Sequence, residues 1–188
     1  SAAIARASLI SNYGWTITDG GATAIGITDS DFYTAVDLWF DNQPLAESTY
    51  GLIGDWDVSA VTSMSSAFYP LRSGGSAVNT FNEDISAWDT SSVTNMSGIF
   101  LLATSFNQPL TWDTSSVTTM QQMFRNALAF NSTLTFSDTS SVTTMQQMFY
   151  QATSFDQPLT WDTSSVINMQ QMFSGATLFN STLTFSDT

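Results

Sequence analysis

The sequence predicts an α/β fold in which short repeats stack into a solenoid, each contributing one short parallel strand and one short helix. The first observation is the segment Trp112–Phe124, which returns almost unchanged at Trp161–Phe173. The second is spacing, because further copies start near 55, 88, 136 and 185 and most starts lie 24 or 25 positions apart. The third is composition: 43% of the 188 residues are hydrophobic, which is enough to bury a core.

The strand of each repeat is predicted at Leu-Thr-Trp or Leu-Thr-Phe, as at Leu134–Phe136. These triplets alternate apolar and polar residues and carry β-favouring side chains. An Asp-Thr-Ser-Ser sequence follows, and its short polar side chains are typical of a tight turn. Each repeat therefore opens with a strand that ends in a turn.

The helix of each repeat is predicted after that turn. In Met120–Ala127 apolar residues fall at i, i+3, i+4 and i+7, the spacing of one helix face. Thr118 with Gln121 fits a capping box at the start of this helix. Gly175 lies where a helix C-cap falls in the last complete copy.

The core of the repeats is predicted to be shared between neighbours, because one repeat buries too little apolar surface to offset the entropy of ordering it. Neighbouring repeats must therefore cover both faces of each apolar layer. The predicted core residues are Trp88, Trp112, Trp161, Val117, Met120, Met123, Phe124, Phe130, Leu134, Met145, Met148, Phe149 and Phe155.

Residues 1–54 lack the repeat and predict an N-terminal α/β cap, whereas residues 55–188 form the tandem array. The cap is expected to contain a helix at Ala2–Ser11, a hairpin at Trp15–Ile27 around Asp-Gly, and a helix from about Ser30. The apolar stripe of that last helix comprises Phe32, Val36, Trp39 and Phe40.

Two segments interrupt the regular array. Tyr69–Thr80 lengthens the first repeat and is predicted to be a surface loop. The copy that starts at Phe185 is incomplete, so its apolar layer is expected to be covered by further chain or by another subunit.

Charge and composition exclude several function classes. The net charge is −13, with three Arg and no Lys or His, so no basic surface is available for nucleic acid. Without His, Cys or Lys, or a glycine-rich phosphate loop, the chain lacks the usual bases and nucleophiles, and we expect no enzyme and no cofactor. No apolar run reaches the length of a bilayer crossing, so we expect no membrane insertion by this chain.

The Asp after each strand is the candidate metal ligand. Stacking places these residues in a ladder with about 5 Å between neighbours. The ladder either binds Ca²⁺ or stabilises a series of solvated turns, and single carboxylates favour the turns because Ca²⁺ needs several oxygen ligands. The residues are Asp89, Asp113, Asp138 and Asp162.

Three N-glycosylation sequons begin at Asn95, Asn131 and Asn180. Asn131 and Asn180 occupy equivalent positions 49 residues apart. They predict either a row of glycans along one edge of the array or a chance match in a chain rich in Ser, Thr and Asn.

Trp88–Met96, followed by Ala103–Leu110, closely resembles the BspA-like leucine-rich repeat surface proteins, the DUF285 or mycoplasma-lipoprotein repeat family. The segments Gly14–Gly21 and Tyr50–Met64 are similar to those that precede such arrays. The resemblance implies a leucine-rich-repeat-like solenoid, an extracellular or cell-surface location, and a role in adhesion or surface structure. It implies no catalytic residues.

The leading functional hypothesis is therefore a structural or adhesive surface protein whose partners are other protein subunits or surface glycans. An alternative is the subunit of an extracellular filament, a homopolymer assembled head to tail. A third is a surface for ice or crystalline polysaccharide, since the strands carry a regular row of hydroxyl and methyl groups at Thr111, Thr135, Thr160 and Thr184.

Overall fold

A computed structural model describes residues 26–72 and 79–186. The predicted helix Ala2–Ser11, most of the predicted hairpin and residues 73–78 of the predicted loop lie outside this part of the chain. Within these residues, two α-helices and a short 3₁₀ helix precede four short strands. The elements are α1 Asp29–Asp41, α2 Gln43–Tyr50, the 3₁₀ helix Ile53–Asp55, β1 Leu110–Trp112, β2 Leu134–Phe136, β3 Leu159–Asp162 and β4 Leu183–Ser186.

Helix α1 is the helix predicted from about Ser30, and it packs its apolar stripe against the first repeats. Phe32, Val36 and Trp39 are buried and Phe40 is half-buried. At the first residue of the helix, the Asp29 carboxylate accepts hydrogen bonds from the Thr62 N–H at 2.7 Å and from the Thr62 hydroxyl at 2.6 Å. A carboxylate is favoured at this end of a helix, and here it also joins α1 to the first repeat.

Helix α2 is not among the features predicted from the sequence, although its signals are present. The Asn42 side chain accepts a hydrogen bond from the Leu45 N–H at 3.2 Å, as an N-cap does. Pro44 occupies the first turn, where its missing N–H costs nothing. The helix ends at Tyr50 and is followed by Gly51, whose φ of 86° is readily adopted by glycine.

The strands confirm short parallel strands at Leu-Thr-Trp and Leu-Thr-Phe. One strand in every repeat is not observed, because the described repeats that start near 55 and 88 carry Gly-Asp-Trp and Ser-Ala-Trp in place of Leu-Thr-Trp and form no strand there. β1 pairs with β2 so that Leu110 lies opposite Leu134 and Trp112 opposite Phe136. β3 pairs with β4 in the same way. In β1 the Leu and Trp side chains are buried and Thr111 between them is exposed, as the alternation of a strand requires.

The helix predicted in each repeat is wrong, because Met120–Ala127 forms successive turns. The N–H groups of Gln122, Phe124 and Asn126 donate to carbonyls of the next repeat at 2.9, 2.8 and 2.8 Å. The alternate N–H groups close turns within the repeat; that of Met123 donates to the carbonyl three residues earlier at 3.3 Å. An α-helix would keep all these bonds within one segment, whereas this geometry shares them with the neighbour.

The two helix-end signals also have different roles from those predicted. The Thr118 hydroxyl donates to the Thr94 carbonyl of the preceding repeat at 3.1 Å, so it forms no capping box. Gly175 has a φ of 79°, but it occupies the third position of a turn, as Gln151 does with a φ of 57°. A residue with positive φ at that position is typical of a type II turn.

The core of the repeats consists of stacked aromatic side chains. Phe124 stacks on Phe100 and on Phe149, with ring centroids 5.4 Å apart in both pairs. The Trp112 indole N–H donates to the Ile85 carbonyl at 3.1 Å, so the polar edge of the ring is also paired. The side chains predicted as repeat core are at most 4% exposed, apart from half-buried Leu134.

Candidate functional site

The candidate site is a set of surface rows, in which equivalent polar residues of successive repeats lie side by side. The first is the threonine row on the strands. Thr111 lies opposite Thr135, and Thr160 lies opposite Thr184. All four side chains are exposed. Parallel pairing in register aligns the threonines within each of these two pairs, and β2 is not paired with β3, so the row consists of two aligned pairs.

The aspartate row lies at the turn after each strand. In every case Oδ1 accepts a hydrogen bond from the backbone N–H two residues further on, at 2.8 to 3.1 Å. Among the described residues, no group of three or more potential ligands lies close enough to hold a metal ion. These hydrogen bonds stabilise turns, and Ca²⁺ binding stays the less favoured alternative. Its members are Asp89, Asp113, Asp138 and Asp162.

Hydrogen bonds at two of these turns favour the charged form of the carboxylate. The pKa of Asp113 lies below its ordinary value of 3.8 because the Ser115 N–H donates to it, followed in effect by the hydroxyls of Ser115 and Ser137. The pKa of Asp162 is lowered by the N–H and then the hydroxyl of Ser164. These carboxylates therefore stay ionised at neutral pH and keep their turns closed.

The glutamine row follows the turns of the third repeat and beyond. Gln122 Nε2 donates to Gln147 Oε1 at 2.9 Å, and Gln147 Nε2 donates to Gln171 Oε1 at 2.7 Å. Arg125 Nη1 also donates to Gln147 Oε1, at 3.0 Å. The near-identity of the repeats at these positions therefore has a structural basis, since each amide is the partner of the next.

The asparagine row comes shortly before the Trp or Phe that opens the next repeat. It is not among the features predicted from the sequence. Its signal is present, because an Asn or Asp recurs there every 24 or 25 residues. The side-chain Oδ1 of each of the first four members accepts the backbone N–H of the next, at 2.7 to 2.8 Å. The members are Asn82, Asn107, Asn131, Asp156 and Asn180.

The three sequons occupy different places. Asn131 and Asn180 belong to the asparagine row and are exposed. Asn95 lies in a different column, where it forms parallel bridges with Ser63 and Thr119 and is half-buried. The structure therefore brings only two of the three glycosylation candidates to the same edge.

An open cleft of about 250 Å³ lies between the helices and the first repeats. Its lining includes Trp39 and the acidic residues Glu47, Asp55, Glu83 and Asp84, with no basic residue. Beyond the cleft, Arg72 pairs with the Asp37 carboxylate at 2.6 Å and lies over the Tyr33 ring at 4.4 Å. Arg72, the only cation near the helices in the described part of the chain, is thus paired with residues of α1.

Comparison with protein families identifies the array. The family model described as "Mycoplasma protein of unknown function, DUF285" matches residues 35–135 and 110–188. The chain belongs to the DUF285 family. The resemblance noted from the repeat sequence is thereby confirmed.

Other comparisons add no named relative to this DUF285 protein, since no curated protein and no solved structure matches it. Among its described residues, no helix combines the length and apolar character needed to cross a bilayer. The family description assigns no function, so function must be argued from the surface rows.

Proposed function

We propose that this DUF285 protein is an extracellular or cell-surface structural and adhesive repeat protein without catalytic activity. Its partners are surface glycans or other protein subunits. The observation that carries the proposal is the threonine row, in which identical exposed side chains lie in register on neighbouring strands. A row of this kind suits a partner that is itself periodic, because each repeat then makes the same contact.

The shape that this function requires is a leucine-rich-repeat-like solenoid. In support, isolated parallel bridges run through five successive repeats, joining Ser63, Asn95, Thr119, Thr144 and Asn168 in that order. Every junction combines these bridges with hydrogen bonds from the turns and with stacked Phe rings. The stability of such an array is a sum over nearest neighbours, so a repeat can be added without disturbing the others. Each added repeat then lengthens the surface rows.

Adhesion by these rows is multivalent. A single Thr contact contributes little, but identical contacts on one rigid surface act together without further ordering cost. The exposed Thr111 and Thr135 side chains offer both methyl and hydroxyl groups, which suits the mixed apolar and hydroxylated face of a polysaccharide.

The first test separates location from binding. Intact, unpermeabilised source cells are stained with an antibody raised against this chain, because the chain has no Lys or Cys for surface biotinylation. We expect surface labelling of intact cells; staining only after permeabilisation contradicts the proposed location.

Binding is then measured by co-sedimentation with crystalline cellulose, chitin and the insoluble cell-wall fraction of the source cells. The variant Thr135→Lys places a long charged side chain in the row, and Ser105→Lys places the same group at an exposed position outside it. We expect at least a fivefold loss of binding for Thr135→Lys alone. Equal binding by both variants contradicts a role for the threonine row.

The second candidate function is the subunit of a head-to-tail filament. One observation favours it: each repeat both donates to and accepts from each neighbour. Met120 donates to the next repeat at 3.0 Å and Thr118 to the preceding one at 2.9 Å. The same pattern can join two chains. Electron microscopy of native, unsheared material decides between continuous filaments and discrete rods.

A further inference from the structure

We propose that Asn131 and Asn180 are N-glycosylated and that Asn95 is not, so that glycans line one edge of the array at every second repeat. The proposal rests on the extracellular location proposed above, because the glycosylating machinery acts on exported chains. It concerns a different set of residues from the threonine row.

The geometry at Asn131 leaves the reacting atom available. Asn131 Oδ1 accepts hydrogen bonds from the Asp156 N–H at 2.8 Å and from Gln157 Nε2 at 3.0 Å. Within the described part of the chain, Asn131 Nδ2 donates no hydrogen bond. The side chain is exposed, so Nδ2 faces solvent while Oδ1 holds the next repeat.

Glycosylation changes only that nitrogen. The anomeric carbon of a lipid-pyrophosphate-linked oligosaccharide forms a bond to Nδ2, and its bond to the pyrophosphate oxygen breaks. The lipid pyrophosphate leaves with the electron pair, and Nδ2 loses one proton. Oδ1 remains a carbonyl acceptor, so the hydrogen bonds to the next repeat are retained.

Asp156 supports this division of roles. It occupies the same row position in the repeat between the two sequons, and its Oδ1 accepts the Asn180 N–H at 2.7 Å. A carboxylate has no N–H to donate, so the row needs only the acceptor. The side-chain amide nitrogen of Asn131 is therefore not needed for the hydrogen bonds of the row.

The row carries sequons in alternate repeats only. The hydroxyl residues of the two sequons, Thr133 and Thr182, are exposed like the asparagines. In the repeats that precede them, Pro109 and Pro158 occupy the equivalent position and supply no hydroxyl. The 49-residue period of the paired repeats is therefore also the period of the glycans.

The third sequon is built into the array. Asn95 Oδ1 accepts the Ser97 N–H at 2.9 Å, and the Ser97 hydroxyl is paired with Thr119 Oγ1 at 3.0 Å. Met96 between them is fully buried. A glycan on Asn95 would crowd the bridges to both neighbouring repeats, so chains modified there are expected to fail in folding.

The test is site-specific mass spectrometry of the chain secreted from a eukaryotic cell with a C-terminal tag that carries an accepted sequon. The tag reports passage through the glycosylating compartment. Enzymatic removal of glycans in ¹⁸O-water marks each occupied Asn. We expect occupancy at Asn131 and Asn180, none at Asn95, and loss at one site each in Thr133→Val and Thr182→Val. Thr133→Ser keeps the sequon and is expected to restore occupancy.

An occupied tag with bare Asn131 and Asn180, or occupancy of Asn95 equal to theirs, overturns the proposal. The secreting cell supplies the machinery whatever the native location, so this failure is distinct from failure of surface labelling. Melting temperatures test the division of roles: Asn131→Asp keeps the acceptor and should melt close to the parent, whereas Asn131→Ala should melt lower. Equal melting of these two variants contradicts the acceptor role.

Discussion

Ser137 donates its hydroxyl to Oδ1 of Asp113 at 2.8 Å, across the junction between two consecutive repeats. The same hydroxyl oxygen accepts the Thr114 N–H at 3.0 Å. Ser137 is the residue that lengthens the spacing from Phe136 to Trp161 to 25 positions. The inserted Ser137 is therefore hydrogen-bonded to two consecutive residues of the preceding repeat, Asp113 and Thr114. These bonds accommodate the extra residue at the turn.

Ser137→Ala removes both of these bonds and leaves the N–H of buried Thr114 without its partner. We expect the free energy of unfolding to fall by about 1–3 kcal/mol, the usual cost of an unsatisfied buried group. Urea denaturation followed by Trp fluorescence measures it. Ser105→Ala is the matched control at an exposed position. An equal effect of the two substitutions would contradict the stabilising role of the Ser137 hydrogen bonds.

Acid is expected to destabilise the array through the carboxylates whose pKa values lie below the ordinary 3.8. Because the unfolded chain binds these protons first, the stabilisation is complete above that value and is lost as the pH falls through the lower folded values. The melting temperature should fall below about pH 4. The groups are Asp29, Asp57, Asp84, Asp113, Asp156 and Asp162.

The control for this pH dependence is Asp113→Asn, which retains an oxygen acceptor for Ser115 and Ser137 but cannot titrate. We expect its melting temperature to fall less steeply below pH 4 than that of the parent. Identical acid profiles for the two proteins would show that Asp113 does not contribute.

Chelation tests the aspartate row as a Ca²⁺ site. Each Oδ1 in the row already accepts a backbone N–H, and no described group of three ligands converges. We therefore expect the melting temperature to be the same in excess EDTA and in millimolar Ca²⁺. A concentration-dependent rise with Ca²⁺ that Asp113→Asn reduces would establish a metal site instead, because a ligand that binds only the folded state stabilises it.

Met123→Asp tests the inward face of the turns. Met123 is fully buried among apolar side chains, so the new carboxylate has no partner. We expect a loss of about 3 kcal/mol or more. Leu128→Asp makes the same kind of change at a side chain that is 42% exposed, and it should cost far less. Unchanged melting of Met123→Asp, measured by circular dichroism, would count against the assigned core.

The apolar spacing in Met120–Ala127 shows how far sequence reasoning reaches. The residues at i, i+3, i+4 and i+7 are all buried, as a helix face would be. The backbone that buries them is a series of turns. A pattern of side chains reports which residues face the core, and more than one backbone conformation can bury the same residues.

The asparagine row shows a second limit. Its recurring Asn or Asp is visible in the sequence, but its role depends on the N–H of the next repeat, as in the bond from Asp156 to Asn131 Oδ1. Helix α2 is a contrasting case: it was not predicted, although its signals, the N-cap Asn42 and Pro44 in the first turn, are local to the segment.

The sequence by itself determined the repeat period, the short parallel strands and the family, because these follow from side-chain identity and local alternation. Only the tertiary structure decided the backbone path of Met120–Ala127 and the partners of the surface amides. Each N–H there can bond within its own segment or to a neighbour, and the choice depends on a repeat about two dozen residues away.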